Sequence, residues 1–183
     1  MPGVDRWLVC ADMNTAPEDA KRPARDTDRL RVGYGEDAHR LKAGRELIIG
    51  GVAVPESLVG AEAVSDGDVL LHALADALLS AFAQGDIGVL FPPDDPASRG
   101  LTSSVIVATA LERIRQQAGA VEVINVSAVV TLDRPKLGPL RNQIVAQVGR
   151  LLGVGPDRVG LTFKTSEGLA QDYVQARVVV LVM

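Results

Sequence analysis

Residues 65–81 read SDGDVLLHALADALLSA, and this stretch decides how the middle of the chain folds. Apolar residues recur in it at helical spacing, which predicts a buried helix over residues 69–83. They are Leu70, Leu71, Leu74, Ala77, Leu78 and Ala81. Ser65 and Asp68 precede the run with the spacing of a capping box, in which Asp68 replaces the usual Glu. Gly85 and the residues around it predict the end of the helix.

Strand and helix patterns alternate in the rest of the chain. We expect strands over residues 31–39, 46–54, 125–132, 159–163 and 176–182, and helices over residues 102–118 and 140–152. The turn Lys42-Ala43-Gly44 separates the first two strands, which predicts a small N-terminal β-hairpin. Together these elements predict an α/β domain, an α+β layered sandwich in which a mixed β-sheet has helices on one face.

The composition indicates a globular domain and excludes several other classes of protein. Of the 183 residues 47% are apolar and 23% are charged, which provides enough apolar material for a core. The net charge of −4 argues against binding to the phosphates of a nucleic acid. The single Cys10 excludes an internal disulfide and a zinc site made of cysteines. The longest apolar runs are far shorter than the roughly 18 residues of a membrane span, so we expect a soluble, cytoplasmic protein.

The first thirty residues differ from the remainder of the chain. They mix prolines, glycine and scattered charges, and neither a helical nor a strand period is sustained in them. We therefore expect a flexible N-terminal extension over residues 1–30 and a single domain over residues 31–183.

The two histidines of the chain, His39 and His72, both lie beside acidic residues. In a strand, Asp37 and His39 share one face, with their backbones roughly 6–7 Å apart, so both can reach one ion. His72, from the following helix, could supply a third ligand and leave the fourth position of a zinc ion open. A second interpretation stays open, in which both histidines pack in the core and bind no metal.

Several motifs, taken together and in this order, resemble those of the 2-C-methyl-D-erythritol 2,4-cyclodiphosphate synthase family. The resemblance extends over residues 31–183. The motifs are GYGEDAHRL at 33–41, IIGGV at 48–52, SDGDVLLHALADALL at 65–79, GDIG at 85–88, LFP at 90–92, RPKL at 134–137 and KTSEGL at 164–169.

The resemblance implies a metal-dependent lyase of non-mevalonate isoprenoid biosynthesis. Its reaction converts 4-diphosphocytidyl-2-C-methyl-D-erythritol 2-phosphate to the 2,4-cyclodiphosphate and releases CMP. The family forms homotrimers with active sites between adjacent subunits. By similarity, Asp37, His39 and His72 bind a zinc-like ion, and Glu167 binds a second cation, Mg²⁺ or Mn²⁺, on the diphosphate.

The resemblance also implies which residues contact the substrate. Thr165 matches a catalytic hydroxyl, Asp86 and Gly88 match the segment that binds the ribose, and residues 135–137 match the loop that contacts cytosine. Ser65 precedes a helix whose first N–H groups would favour a phosphate. The complete set is Asp37, Ala38, His39, Val64, Ser65, Asp86, Ile87, Gly88, Pro135, Lys136, Leu137, Lys164, Thr165, Ser166 and Glu167.

The chain departs from the family pattern at two single positions and in one segment. Val64 stands at a catalytic position where the family usually has His, and this loss could slow the reaction by on the order of 10²–10³. Residues 171–177 replace the usual glycine- and arginine-bearing stretch near the trimer axis, and Pro93 replaces a common carboxylate. An alternative function is therefore a catalytically impaired trimeric relative that binds metal and acts by binding a ligand or partner.

Overall fold

The computed structural model describes residues 29–55, 57–92 and 94–183. Its strands are β1 (Arg31–Ala43), β2 (Ile48–Ile49), β3 (Val52–Ala53), β4 (Val59–Ala61), β5 (Val123–Leu132), β6 (Val159–Lys164) and β7 (Tyr173–Val182). Its α-helices are α1 (Val69–Ala81), α2 (Ile87–Leu90), α3 (Ser103–Ala118) and α4 (Arg141–Leu152). Residues 1–28 of the expected extension, and Pro93, lie outside the described residues.

Five of these strands form a mixed sheet in the order β4-β1-β7-β5-β6. Only β5 and β6 run parallel, and the other neighbours are antiparallel. Every second residue of β7, from Val174 to Val182, is buried, while the intervening residues are more exposed. Leu74 of α1 and Val148 of α4 line a small internal cavity together with Val178 on this buried face. The predicted α/β class, with a mixed sheet and helices on one face, is confirmed.

A small N-terminal hairpin is present, but it lies entirely within residues 46–54. Strand β2 pairs with β3, whereas β1 pairs with β4 and β7. Gly50 and Gly51 form the turn with φ of 63° and 75°. Two successive positive φ angles are typical of a tight type I′ hairpin turn, which divides the expected second strand into two.

Helix α1 lies almost directly on β1 because two glycines leave room for it. A Cβ atom at Gly33 would lie 1.8 Å from the carbonyl oxygen of Ala77, and one at Gly35 would lie 2.2 Å from that of Ala73. Both alanines are fully buried. The backbone of α1 can therefore approach the strand more closely than larger residues would allow.

The cap of α1 is Asp68, so the predicted capping box with Ser65 as the cap is wrong. The Asp68 carboxylate accepts hydrogen bonds from the backbone N–H groups of Leu70, Leu71, Gly50 and Gly51. Ser65 lies further from the helix because Gly67, with φ of 74°, turns the chain between them. Asp68 thus joins the start of α1 to the β2–β3 turn.

The other two long helices agree with the sequence pattern. Helices α3 and α4 end at Gly119 and Gly153, and Gly153 has the left-handed conformation typical of a helix C-terminus. None of the helices in the described part of the chain has both the length and the apolar character that a membrane span requires.

Candidate metal centre and substrate cavities

Asp37, His39 and His72 converge at one point between β1 and α1. Oδ2 of Asp37 lies 2.9 Å from Nε2 of His39 and 2.8 Å from Nδ1 of His72. The two ring nitrogens are 3.4 Å apart, and the rings are nearly perpendicular. The predicted convergence is therefore present.

The local fold explains why these three side chains meet. Asp37 and His39 follow Gly33 and Gly35 on the same face of β1, the face on which α1 lies. His72 immediately precedes Ala73, whose carbonyl group contacts that strand at Gly35. The histidines do not pack apart in an apolar core, because both rings contact the carboxylate of Asp37.

The chemistry and spacing of the three donors fit a divalent cation such as zinc. Around a tetrahedral ion with bonds of 2.0–2.1 Å, ligand atoms lie about 3.3–3.5 Å apart, close to the separations of 2.8 to 3.4 Å found here. Two imidazoles and a carboxylate are a common ligand set for zinc at a catalytic site. Within residues 29–55, 57–92 and 94–183, this is the one cluster of three such ligands.

The electrostatics of the cluster favour an ionised Asp37. Burial raises the pKa of Asp37, but hydrogen bonds to His39 and His72 outweigh this effect and hold the pKa below its ordinary value. Burial lowers the pKa of His72, but the hydrogen bond and the charge of Asp37 raise it above its usual value. The cluster thus presents one anionic oxygen beside two imidazoles.

A cavity of about 300 Å³ opens beside the metal ligands. Val64, Ser65, Ile87 and Gly88, all predicted to bind substrate, line it together with the three ligands. Most of the remaining wall is apolar and consists of Ala63, Phe91, Leu101 and Ile106. The cavity therefore has one polar corner and an apolar body.

Ala38 and Asp86 neighbour lining residues in the sequence and were predicted to bind substrate, but neither lines this cavity. The side chain of Ala38 lies on the opposite face of β1 from those of Asp37 and His39. Asp86 caps α2 by accepting a hydrogen bond from Val89 N at 3.1 Å. Asp76 was not among the predicted residues, but its carboxylate accepts a 2.8 Å hydrogen bond from Ile87 N and positions α2.

The expected phosphate site at the first N–H groups of α1 is wrong. The N–H groups of Leu70 and Leu71 already donate to the carboxylate of Asp68. Asp68 is fully buried, so this helix end is closed to a phosphate. Ser65 remains at the cavity through its side chain, which lies 3.1 Å from Nε2 of His72.

A second cavity, of about 450 Å³, lies where β5 and β6 end. Among residues predicted to bind substrate, it is lined by Lys136, Leu137, Lys164, Thr165 and Glu167. Three cationic side chains line this cavity, namely Lys136, Lys164 and Arg141. In the described part of the chain, the two cavities share no lining residue.

Asp133, which was not among the predicted residues, holds the loop that contains Thr165 and Glu167. Its carboxylate accepts hydrogen bonds from Ser166 N at 2.5 Å, Ser166 Oγ at 2.8 Å and Gly168 N at 3.2 Å. These bonds lower the pKa of Asp133. Thr165 Oγ1 in turn donates to Glu167 Oε1. A carboxylate directly after a buried strand was the signal that could have identified Asp133.

Residues 171–177, which depart from the family pattern, include the first half of strand β7. There Arg177 Nε lies 3.4 Å from Glu36 Oε2, and the Tyr34 hydroxyl donates to the same carboxylate at 2.6 Å. These side chains occupy the face of the sheet opposite α1.

Comparisons with known proteins agree with this architecture. The model of the YgbB family matches residues 30–183. A Thermus thermophilus protein named 2-C-methyl-D-erythritol 2,4-cyclodiphosphate synthase is 56% identical over 152 residues, which are 83% of this chain and 98% of that protein. A Deinococcus radiodurans protein of the same name is 55% identical over 152 residues, 83% of this chain and 93% of its own length.

Solved structures show the same fold. One synthase structure is 55% identical, with a TM-score of 0.79 and coverage of 84% of this chain and 100% of that chain. A CDP-bound form is 53% identical, with a TM-score of 0.78 and the same coverage. This chain belongs to the YgbB family, which its matching motifs, fold and converging metal ligands all support.

Proposed function

We propose that this protein is a 2-C-methyl-D-erythritol 2,4-cyclodiphosphate synthase. It converts 4-diphosphocytidyl-2-C-methyl-D-erythritol 2-phosphate to the cyclodiphosphate with release of CMP, as a phosphorus–oxygen lyase of non-mevalonate isoprenoid biosynthesis. The main support is the convergence of Asp37, His39 and His72 beside a cavity, in a chain 56% identical to a protein named as this synthase. The names of the relatives favour an active synthase over the impaired binding protein.

The reaction is an internal phosphoryl transfer. An oxygen of the 2-phosphate forms a bond to the β-phosphorus, and the bond from that phosphorus to the bridging oxygen breaks. The bridging oxygen keeps the electron pair and leaves as part of CMP. Because two anionic groups must approach each other, the protein contributes mainly positioning and neutralisation of charge.

Asp37, His39 and His72 would hold a zinc-like ion through Oδ2, Nε2 and Nδ1 at the polar corner of the first cavity. A bound divalent cation supplies Lewis-acid stabilisation of the charge on phosphate oxygens. Glu167 would hold the second cation, Mg²⁺ or Mn²⁺, because an exposed carboxylate together with phosphate oxygens suits a hard ion.

The remaining residues would bind and orient the substrate. Lys136 and Lys164 bring positive charge to the second cavity, and the Thr165 hydroxyl lies beside Glu167. Asp86, Ile87 and Gly88 would contact the ribose, and residues 135–137 the cytosine. A nucleotide site is supported by the CDP-bound form of the related synthase.

A homotrimer would bring the two kinds of cavity together. In one chain, the metal ligands line the first cavity, whereas Lys136, Thr165 and Glu167 line the second. Adjacent subunits of a trimer would therefore each contribute one half of a site. Val32, Tyr34 and Val179 are 67%, 50% and 42% exposed on the open face of the sheet, an apolar surface suited to burial between copies. Sedimentation equilibrium measures the mass of the assembly, and a monomeric mass would contradict the trimer.

We also propose a cytoplasmic location, which cell fractionation tests.

The experiment that tests the function is direct. Purified protein is incubated with the substrate and Mg²⁺ or Mn²⁺, and released CMP and the cyclic product are separated by chromatography. We expect both products to form in equal amounts, and the variant His72→Ala to form almost none. A zinc-binding protein that releases no CMP would instead support the impaired relative.

A further inference from the structure

We infer that Ser65 is a positioning residue for the metal site, and that its hydroxyl fixes the orientation of the His72 ring. Ser65 Oγ lies 3.1 Å from Nε2 of His72, while Nδ1 of the same ring lies 2.8 Å from Asp37 Oδ2. Nδ1 therefore faces the other two ligands and Nε2 faces the serine. This inference deepens the proposed function and rests on the metal site proposed there.

The hydrogen-bonding groups available on His72 and Ser65 support this role. A neutral imidazole has one N–H group and one lone pair, so Nδ1 can bind a cation only when Nε2 carries the proton. Ser65 Oγ has two lone pairs, and it already accepts one hydrogen bond from Gly67 N at 3.1 Å. The second lone pair is available to the Nε2–H group of His72. A metal-binding histidine usually donates its second N–H in this way.

The hydroxyl is presented by an anchored segment of backbone. Arg45 Nη2 donates to the carbonyl oxygen of Ser65 at 3.0 Å, and Gly100 N donates to that of Val64 at 3.0 Å. His72 is only 5% exposed, so its ring has little access to water as a substitute acceptor. The hydrogen bond that Ser65 accepts from His72 is thus both well positioned and difficult to replace.

The test measures zinc affinity and does not depend on catalysis. Wild type, Ser65→Ala, Ser65→Thr and Ser80→Ala are stripped of metal and titrated with zinc against a chromophoric chelator. Ser80 is the matched control, because its hydroxyl also joins α1 to β1, by donating to Tyr34 O at 2.8 Å, but lies outside the cavity. We expect Ser65→Ala to bind zinc roughly 10–100-fold more weakly, and the other two variants to stay within about threefold of wild type.

The outcomes separate the role of Ser65 from the metal site itself. If wild type binds no zinc, the proposed metal site fails and this inference fails with it. If wild type binds zinc and Ser65→Ala binds it equally well, only the role of Ser65 is overturned. Equal losses in Ser65→Ala and Ser65→Thr would also overturn it, because the hydroxyl would then be irrelevant.

A second variant covers the case in which Ser65→Ala does not fold, as judged by thermal unfolding of the metal-free proteins. Arg45→Gln removes an anchor of the Ser65 carbonyl and leaves the hydroxyl in place. We expect it to weaken zinc binding by roughly 3–10-fold, which is less than the loss of the outer hydrogen bond itself. Unchanged zinc affinity in Arg45→Gln would contradict the anchoring that the inference requires.

Discussion

Oδ2 of Asp37 and Nδ1 of His72 lie 2.8 Å apart although the two residues are 35 positions apart in the sequence. Asp37 belongs to β1 and His72 to α1. The contact is possible because Gly33 and Gly35 let the helix lie directly on the strand. The candidate metal centre is therefore a consequence of close packing between two elements.

Replacing one ligand should remove zinc binding and slow turnover. We expect Asp37→Asn to lose zinc and to lower kcat by on the order of 10²–10³-fold, since Lewis-acid stabilisation is worth several kcal/mol. Metal analysis and the CMP assay measure the two effects. Asp157→Asn, at an exposed carboxylate in the turn before β6, is the control and should match wild type. Full zinc content in Asp37→Asn would exclude Asp37 as a ligand.

Replacing Gly35 with alanine should disturb the metal site through packing alone. The added Cβ of Gly35→Ala would lie 2.2 Å from Ala73 O, so α1 must move away from β1. We expect a loss of about 1–3 kcal/mol in the free energy of unfolding, together with weaker zinc binding. Urea denaturation and zinc titration test this. Gly160→Ala, at a strand glycine whose Cβ would make only ordinary contacts from 3.5 Å, should change neither quantity appreciably.

Restoring histidine at position 64 should increase turnover. Val64 is 48% exposed and lines the cavity beside the metal ligands, but it offers no hydrogen-bond donor. We expect Val64→His to raise kcat by up to roughly 10²-fold with little change in zinc content, because it adds a donor where charge develops. Val64→Leu is the control for side-chain size. Equal or lower activity in Val64→His would show that this account of the position is wrong.

Removing the carboxylate of Asp133 should release the loop of Thr165 and Glu167. We expect Asp133→Ala to lower kcat/KM by roughly 10–10²-fold through misplacement of these side chains. Zinc affinity should be unchanged, because Asp133 lies outside the metal cluster and the lining of its cavity. Steady-state kinetics and zinc titration distinguish this result from general destabilisation, which would reduce both.

Asp68 should be important for stability, with a defined pH dependence. Asp68→Ala leaves four backbone N–H groups without their acceptor, so we expect it to cost about 2–4 kcal/mol. Burial raises the pKa of Asp68 to about 6, while backbone hydrogen bonds oppose the shift. In the unfolded chain the pKa is about 3.9.

Between these two pKa values the folded state binds the proton more tightly, so the contribution of Asp68 to stability decreases as the pH rises from about 4 to about 6. The difference in unfolding free energy between wild type and Asp68→Ala should accordingly be larger at pH 4.5 than at pH 7.5. Urea titrations at both pH values measure it. Asp95→Ala, which removes an exposed cap, should show a smaller cost. A difference that grows with pH would contradict the raised pKa.

The sequence by itself determined the long helices, most of the strands and the three residues of the candidate metal site. Apolar spacing predicted α1 from Val69, and glycines marked the ends of α3 and α4 at Gly119 and Gly153. Alternation along a strand placed Asp37 and His39 on one face. These features depend on residues close together in the chain, so local patterns are sufficient to reveal them.

Only the tertiary structure decided the features that depend on distant residues. Asp68, rather than Ser65, caps α1 because its carboxylate also reaches the β2–β3 turn. Ser65 instead contacts His72, and Asp133 holds a loop 33 residues away. Each of these contacts requires a particular packing of separate elements, and a polar side chain satisfies whichever buried donor that packing brings to it. A pattern along the chain contains no information about that choice.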